Sequence, residues 1–91
     1  MIKMTKLADL LSYSEQLAVP LIAKELNGER ERVFNVSKLV DGTPVSRGTV
    51  TSTNTKLEIA GLIETRSLGK AGTFIKVIEP EVFKQLVDLL S

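Results

Sequence analysis

Apolar positions recur at helical spacing over the first third of this chain. They alternate over residues 62–78 and return to helical spacing at the end. Met4, Leu7, Ala8 and Leu11 predict a short helix over residues 3–11. Ser12 and Glu15 have capping-box spacing, in which the hydroxyl accepts from an amide three residues on and the carboxylate reaches back. Behind them Leu17, Ala18, Leu21, Ile22 and Leu26 form one stripe of a second helix. Pro20 lies inside it and removes one backbone bond, which predicts a kink or a tightened turn. Asn27-Gly28 reads as the stop, with Gly28 in a left-handed cap. Glu29 to Arg32 reads as a solvated, charged connector.

Val33 and Phe34 predict a very short strand, and Asn35 an N-cap for a helix from Val36 to about Asp41. Val36, Leu39 and Val40 face inward on it. Gly42-Thr43-Pro44 must end that helix, because Pro44 disfavours a helical Thr43. Ser46 then caps a longer helix, about Arg47 to Ala60, with Gly61 beyond its end. At 100° per residue, Val50, Leu57 and Ala60 share one side. Gly48, Thr51, Ser52, Thr55 and Ile59 share the other, and Asn54 falls near the buried side, where its amide needs a partner. Leu62 to Arg66 and Thr73 to Ile78 read as two strands around a Ser67–Gly72 turn, with Ile75 and Val77 on the buried face. Pro80 fits the first position of a last helix. On it Val82, Phe83, Leu86, Val87, Leu89 and Leu90 cover a wide arc, which serves either a dimer contact or packing onto the chain's own core. Two helices joined by a tight turn and followed by a hairpin predict an α+β fold, a winged helix-turn-helix. The expected organisation is one domain over 1–91. It has N-terminal helices over 1–28, the helix-turn-helix over 35–61, the wing over 62–78 and a C-terminal helix over 80–90.

Composition narrows the chemistry. A chain of 91 residues, 43% of them hydrophobic, builds only a modest core, which pairing with a second copy would enlarge. There is no His and no Cys, so the commonest general base, every thiol nucleophile and the usual zinc ligands are missing. No catalytic, cofactor or metal site is expected, and no enzyme. Gly69-Lys70 is not a nucleotide loop, because Ala71 follows the lysine in place of Ser or Thr. No apolar run is long enough to span a membrane, and MIKMTKLADLLS lacks the features of a signal peptide. A cytoplasmic location is the expectation.

The net charge of +1 is uninformative, but its distribution is not. Residues 1–45 balance at six basic and six acidic, whereas residues 46–78 carry five basic and two acidic. The excess falls where a winged helix meets phosphates. Arg47 follows the helix cap, where recognition helices enter the groove, so a DNA contact competes with a surface salt bridge there. Ser46 is first a cap, with phosphate binding as a second role. Gly48 lets the backbone approach DNA, and Thr51, Ser52 and Thr55 are short side chains that reach bases or phosphates. Arg66, and Lys70 between Gly69 and Gly72, suit phosphates along a wing. Lys38 on the preceding helix is a further backbone candidate.

Four strings, LSYSE at 11–15, SKLVD at 37–41, SRGTV through KLEIAGLIE at 46–64 and RSLGKAGTFIKV at 66–77, resemble the C-terminal DNA-binding domain of the CodY family of bacterial repressors. The resemblance implies a sequence-specific dimeric repressor on palindromic operators. That family's GAF sensor domain, with its response to branched-chain amino acids and GTP, has no counterpart in these residues. Arg47 matches the family pattern. Gly48 stands where the family usually has Ser, and Thr53-Asn54-Thr55 replaces an Ala-Leu-Arg run, so the operator sequence does not carry over. The competing expectation is a winged-helix protein-interaction module, favoured by the low net charge, the Thr-rich helix and Ile59 on an outer face.

Overall fold

The computed structural model describes residues 4–91. Lys3, at the start of the first predicted helix, lies outside the described residues. Helix α1 (Met4–Leu10) turns Leu7 and Ala8 inward and is followed by buried Leu11. Helix α2 (Tyr13–Leu26) opens with the complete capping box. The Ser12 amide donates to Glu15 Oε1 at 2.7 Å, and the Glu15 amide donates to Ser12 Oγ at 3.2 Å. The side-chain Nε2 of Gln16 donates to the Ala8 carbonyl at 2.9 Å, which ties α2 to α1. The helix continues past Pro20 without interruption. It stops at Asn27-Gly28 as expected, but the left-handed backbone already begins at Asn27. Asn27 itself is left-handed, at φ 51°, and Gly28 follows at φ 82°. Asparagine tolerates that region better than most residues.

The largest correction concerns the sheet. The short strand expected at Val33 and Phe34 starts two residues earlier, and as β1 (Glu31–Phe34) it joins the wing hairpin as a third strand. With β2 (Ile63–Ser67) and β3 (Thr73–Val77) the order is β1-β3-β2, antiparallel throughout. Glu31 and Arg32, expected to belong to a connector over residues 29–32, therefore supply half of β1. An edge strand with one wet face accepts such charges, and of β1 only Phe34 is buried. Arg30 extends the pairing, with its Nε donating to the Val77 carbonyl at 3.1 Å and its own carbonyl accepting from the Val77 amide at 2.7 Å. Arg32 donates to the Glu25 carbonyl of α2 at 2.8 Å.

The core collects Ile22, Phe34, Leu57, Ile75 and Leu86 from α2, β1, α4 (Arg47–Ile59), β3 and α5 (Pro80–Leu90). Each such side chain contributes about 1.5–3 kcal/mol on burial. Helix α5 packs on α1 and α2 with Phe83 and Leu86 buried and Val82, Val87 and Leu90 half-buried. Most of its wide apolar arc is therefore spent on the chain's own core, and Leu89 stays outside.

One ion pair locks α4 to the start of α2. Lys56 Nζ donates to Glu15 Oε1 at 2.7 Å and to the Leu10 carbonyl at 2.9 Å. The Lys56 ammonium, then the Ser12 amide, hold the Glu15 carboxyl below its ordinary value of 4.5, against the opposing effect of burial. A depressed folded-state pKa means that this contribution is complete above about pH 4.5 and fades as pH falls through the lowered value. Thermal unfolding measured from pH 6 downward is expected to show a steeper acid loss in the parent chain than in Glu15→Gln. Parallel curves would remove the ion pair from the stability account.

Candidate nucleic-acid interface

Helix α3 (Val36–Val40) begins at Asn35, whose Oδ1 accepts from the Lys38 amide at 3.1 Å. The chain then turns through Gly42 at φ 75°, and the Thr43 hydroxyl donates to the Val40 carbonyl at 2.7 Å. Ser46 caps α4, accepting from the Thr49 amide at 3.1 Å. On the inner side of α4, Val50, Thr53, Asn54 and Leu57 are buried. Gly48, Thr51, Ser52, Thr55 and Ile59 are all exposed, as the helical spacing requires. Thr65 of β2 donates to Glu58 of α4 at 2.6 Å, which fixes the wing against the helix. Between β2 and β3 a short 3-10 turn, Gly69–Ala71, carries Lys70 at its centre.

These elements enclose a cleft of about 560 Å³ with three walls. Asn35, Val36 and Ser37 form the first wall, Arg47, Gly48 and Thr51 the second, and Ser67, Gly69, Lys70, Gly72 and Thr73 the third. Arg47 and Lys70 are both exposed, and neither side chain has a hydrogen bond or ion pair among the described residues. The lining contains these two cations and no carboxylate. Such a surface favours an anion, and phosphate suits the hydroxyl and amide donors around it.

Of the residues singled out in the sequence, Arg47, Gly48, Thr51 and Lys70 come together here. Ser46 sits behind Arg47 as the cap. Ser52 and Thr55 continue the exposed face of α4 beyond the cleft. Arg66 is exposed on β2, opposite Phe74, and Lys38 is exposed on α3; neither lines the cleft. Ser37, Ser67 and Thr73 were not anticipated. They belong to three separate elements, and only the fold brings them to one place. The positive excess of residues 46–78 is also smaller in effect than its count, because Lys56 is neutralised by Glu15.

Residues 30–89 match the model of the CodY helix-turn-helix domain. The chain belongs to this family. The match starts at Arg30, which joins β1 to β3, and takes in every wall of the cleft. Among similar proteins, the global transcriptional regulator CodY of Oceanobacillus iheyensis is 43% identical over 81 residues, 89% of this chain and 31% of that protein. The global transcriptional regulator CodY of Brevibacillus brevis is 44% identical over 79 residues, 87% of this chain and 30% of that protein. This CodY-type chain thus spans about 30% of the length of the curated relatives it matches.

One defect distinguishes the inner face of this CodY-type α4. Thr53 is fully buried, yet its hydroxyl donates to the Thr49 carbonyl at 2.8 Å. Asn54 is buried too, and its Oδ1 has no partner among the described residues. A buried acceptor without a donor costs about 1–3 kcal/mol. Asn54→Leu, close in volume and apolar, is therefore expected to raise stability by about 1–2 kcal/mol, read as a higher urea midpoint at unchanged m-value. A lower midpoint would show that the amide is satisfied and that this reading of the site is wrong.

Proposed function

We propose that this chain binds duplex DNA as part of a transcriptional regulator. Helix α4 enters the major groove and the 66–72 wing lies on phosphates. The observation that carries the reading is the three-walled cleft, in which unpaired Arg47 and Lys70 face one polar space. Membership of the CodY helix-turn-helix family and the names of the relatives support it. Ser46, Gly48, Thr51, Ser52 and Thr55 complete the α4 surface in this reading, with Arg66 and Lys38 as flanking phosphate contacts. The further proposals are repression, a homodimer on a palindromic operator, and a cytoplasmic, non-enzymatic protein. No helix among the described residues is long and apolar enough to cross a membrane.

The test is fluorescence anisotropy of a labelled duplex at several salt concentrations. Affinity is expected to fall steeply, with a log–log slope of about −0.9 per phosphate contact. Absence of binding at low salt would overturn the proposal. It would favour a protein-interaction module instead, a reading supported by Ile59, which is 82% exposed at the far end of α4.

A further inference from the structure

The outer face of α4 carries a row of three residues spaced by one helical turn, Arg47, Thr51 and Thr55. The two threonine hydroxyls in this row are already engaged. Thr51 Oγ1 donates to the Arg47 carbonyl at 3.2 Å, and Thr55 Oγ1 donates to the Thr51 carbonyl at 3.0 Å. A hydroxyl has one proton. With it held against the helix's own backbone, neither threonine has a donor left for a base. Each keeps an acceptor oxygen and a methyl group, and both side chains are exposed. Among the described residues Ser52 beside them makes no such internal bond, so its hydroxyl remains free to donate.

In the major groove, the base feature that a methyl group recognises is the 5-methyl of thymine. Arg47 in the same row supplies the complementary chemistry, a planar fork of donors suited to the O6 and N7 acceptors of guanine. Successive members of the row are about 6 Å apart along the helix. That is roughly two base steps at about 3.4 Å each along one strand. Thr51 lines the cleft next to Arg47, so it lies inside the region proposed to meet DNA.

We propose that Thr51 and Thr55 are specificity-determining residues that read thymine through apolar contact with its 5-methyl group, and not through hydroxyl hydrogen bonds. This rests on the DNA-binding reading of the α4 surface. It predicts that threonine's methyl matters at these positions and its hydroxyl does not.

The experiment uses a duplex selected by this protein from a randomised library, with each thymidine replaced in turn by deoxyuridine. That change removes one methyl and nothing else. The parent chain is expected to lose about fourfold in affinity at one or two positions, the equivalent of one buried methyl. Thr51→Ser or Thr55→Ser should abolish the preference at its own position, and Thr51→Val should retain it. Replacing a sensitive thymidine by 5-methylcytidine, paired with guanine, tells methyl recognition from base-pair identity; the inference expects part of the affinity to survive, more than with unmethylated cytidine. Salt-dependent binding with equal affinity for thymidine and deoxyuridine at every position would overturn the inference and leave the DNA-binding reading intact. So would a preference that survives both serine substitutions. No binding of any duplex at low salt would overturn both.

Discussion

Gly72→Ala is expected to destabilise the fold by about 3 kcal/mol, a fall in Tm of roughly 10–20 °C for a chain of this size. Gly72 ends the wing turn at φ 113° and ψ −152°, a backbone region that essentially only glycine occupies. A side chain there also has no room. A Cβ at this position would stand 2.3 Å from the carbonyl oxygen of Phe34 and 3.4 Å from Cγ1 of Val33. Phe34 is a core residue and its neighbour in the sheet register is Thr73, so the obstructing oxygen is anchored and cannot swing aside as a surface side chain would. Relief requires β1 to move from β3 or the turn to open, and either costs strand pairing. Gly69 provides the control. Its φ is 63°, but a Cβ there meets nothing within 4 Å. Gly69→Ala should cost only the conformational penalty, about 1–2 kcal/mol. Thermal unfolding of the two variants side by side decides the matter, and losses within 0.5 kcal/mol of each other would contradict the clash.

This constraint also shows what was legible in the sequence and what was not. Local rules sufficed for features whose partners are a few residues apart. The Ser12–Glu15 box, the Asn35 and Ser46 caps and the Pro80 start depend on neighbours along the chain, and each forms in the structure. The two faces of α4 follow from 100° spacing alone, which sets Asn54 on the inner side. The glycines of the wing turn were visible as turn residues, but the reason Gly72 must be glycine lies in Phe34 of β1, adjacent across the sheet yet far away in the sequence. Strand β1 was legible only at Val33 and Phe34, and its first half was hidden for the same reason. Its Glu31 and Arg32 carry no alternation of buried and exposed positions, and its existence depends on pairing with Ile75 and Lys76 more than forty residues away. Long-range pairing of that kind leaves little trace in a local pattern.

The candidate site divides along the same line. Arg47 and Lys70 were recognisable by their position relative to a cap and to two glycines. Ser37 and Thr73 were not, since they reach the cleft only after β1 has been zipped onto β3 and the wing folded beside α3. Stability and binding are therefore linked through the third strand. A lesion at Gly72 is expected to disturb the cleft as well as the core, so binding defects are interpretable only for variants whose folding is intact.

Arg47→Ala meets that condition and carries the second large effect. Its side chain is exposed and makes no hydrogen bond or ion pair among the described residues, so its removal should leave the unfolding free energy within about 0.5 kcal/mol of the parent. On the selected duplex the loss is expected at about 1–3 kcal/mol, a factor of roughly 5 to 150 in affinity, with relaxed discrimination at the base it reads. Lys70→Ala should behave differently although both residues line the cleft. A lysine on phosphate weakens all sequences about equally and lowers the salt slope by about one. The two variants are compared on the selected duplex and on a scrambled one. If Arg47→Ala weakens both duplexes by the same factor, it is a phosphate contact and base readout must lie farther along α4, with Thr51 and Thr55. If it weakens neither, the first turn of α4 is not in the groove, and the cleft between it and the wing serves another ligand.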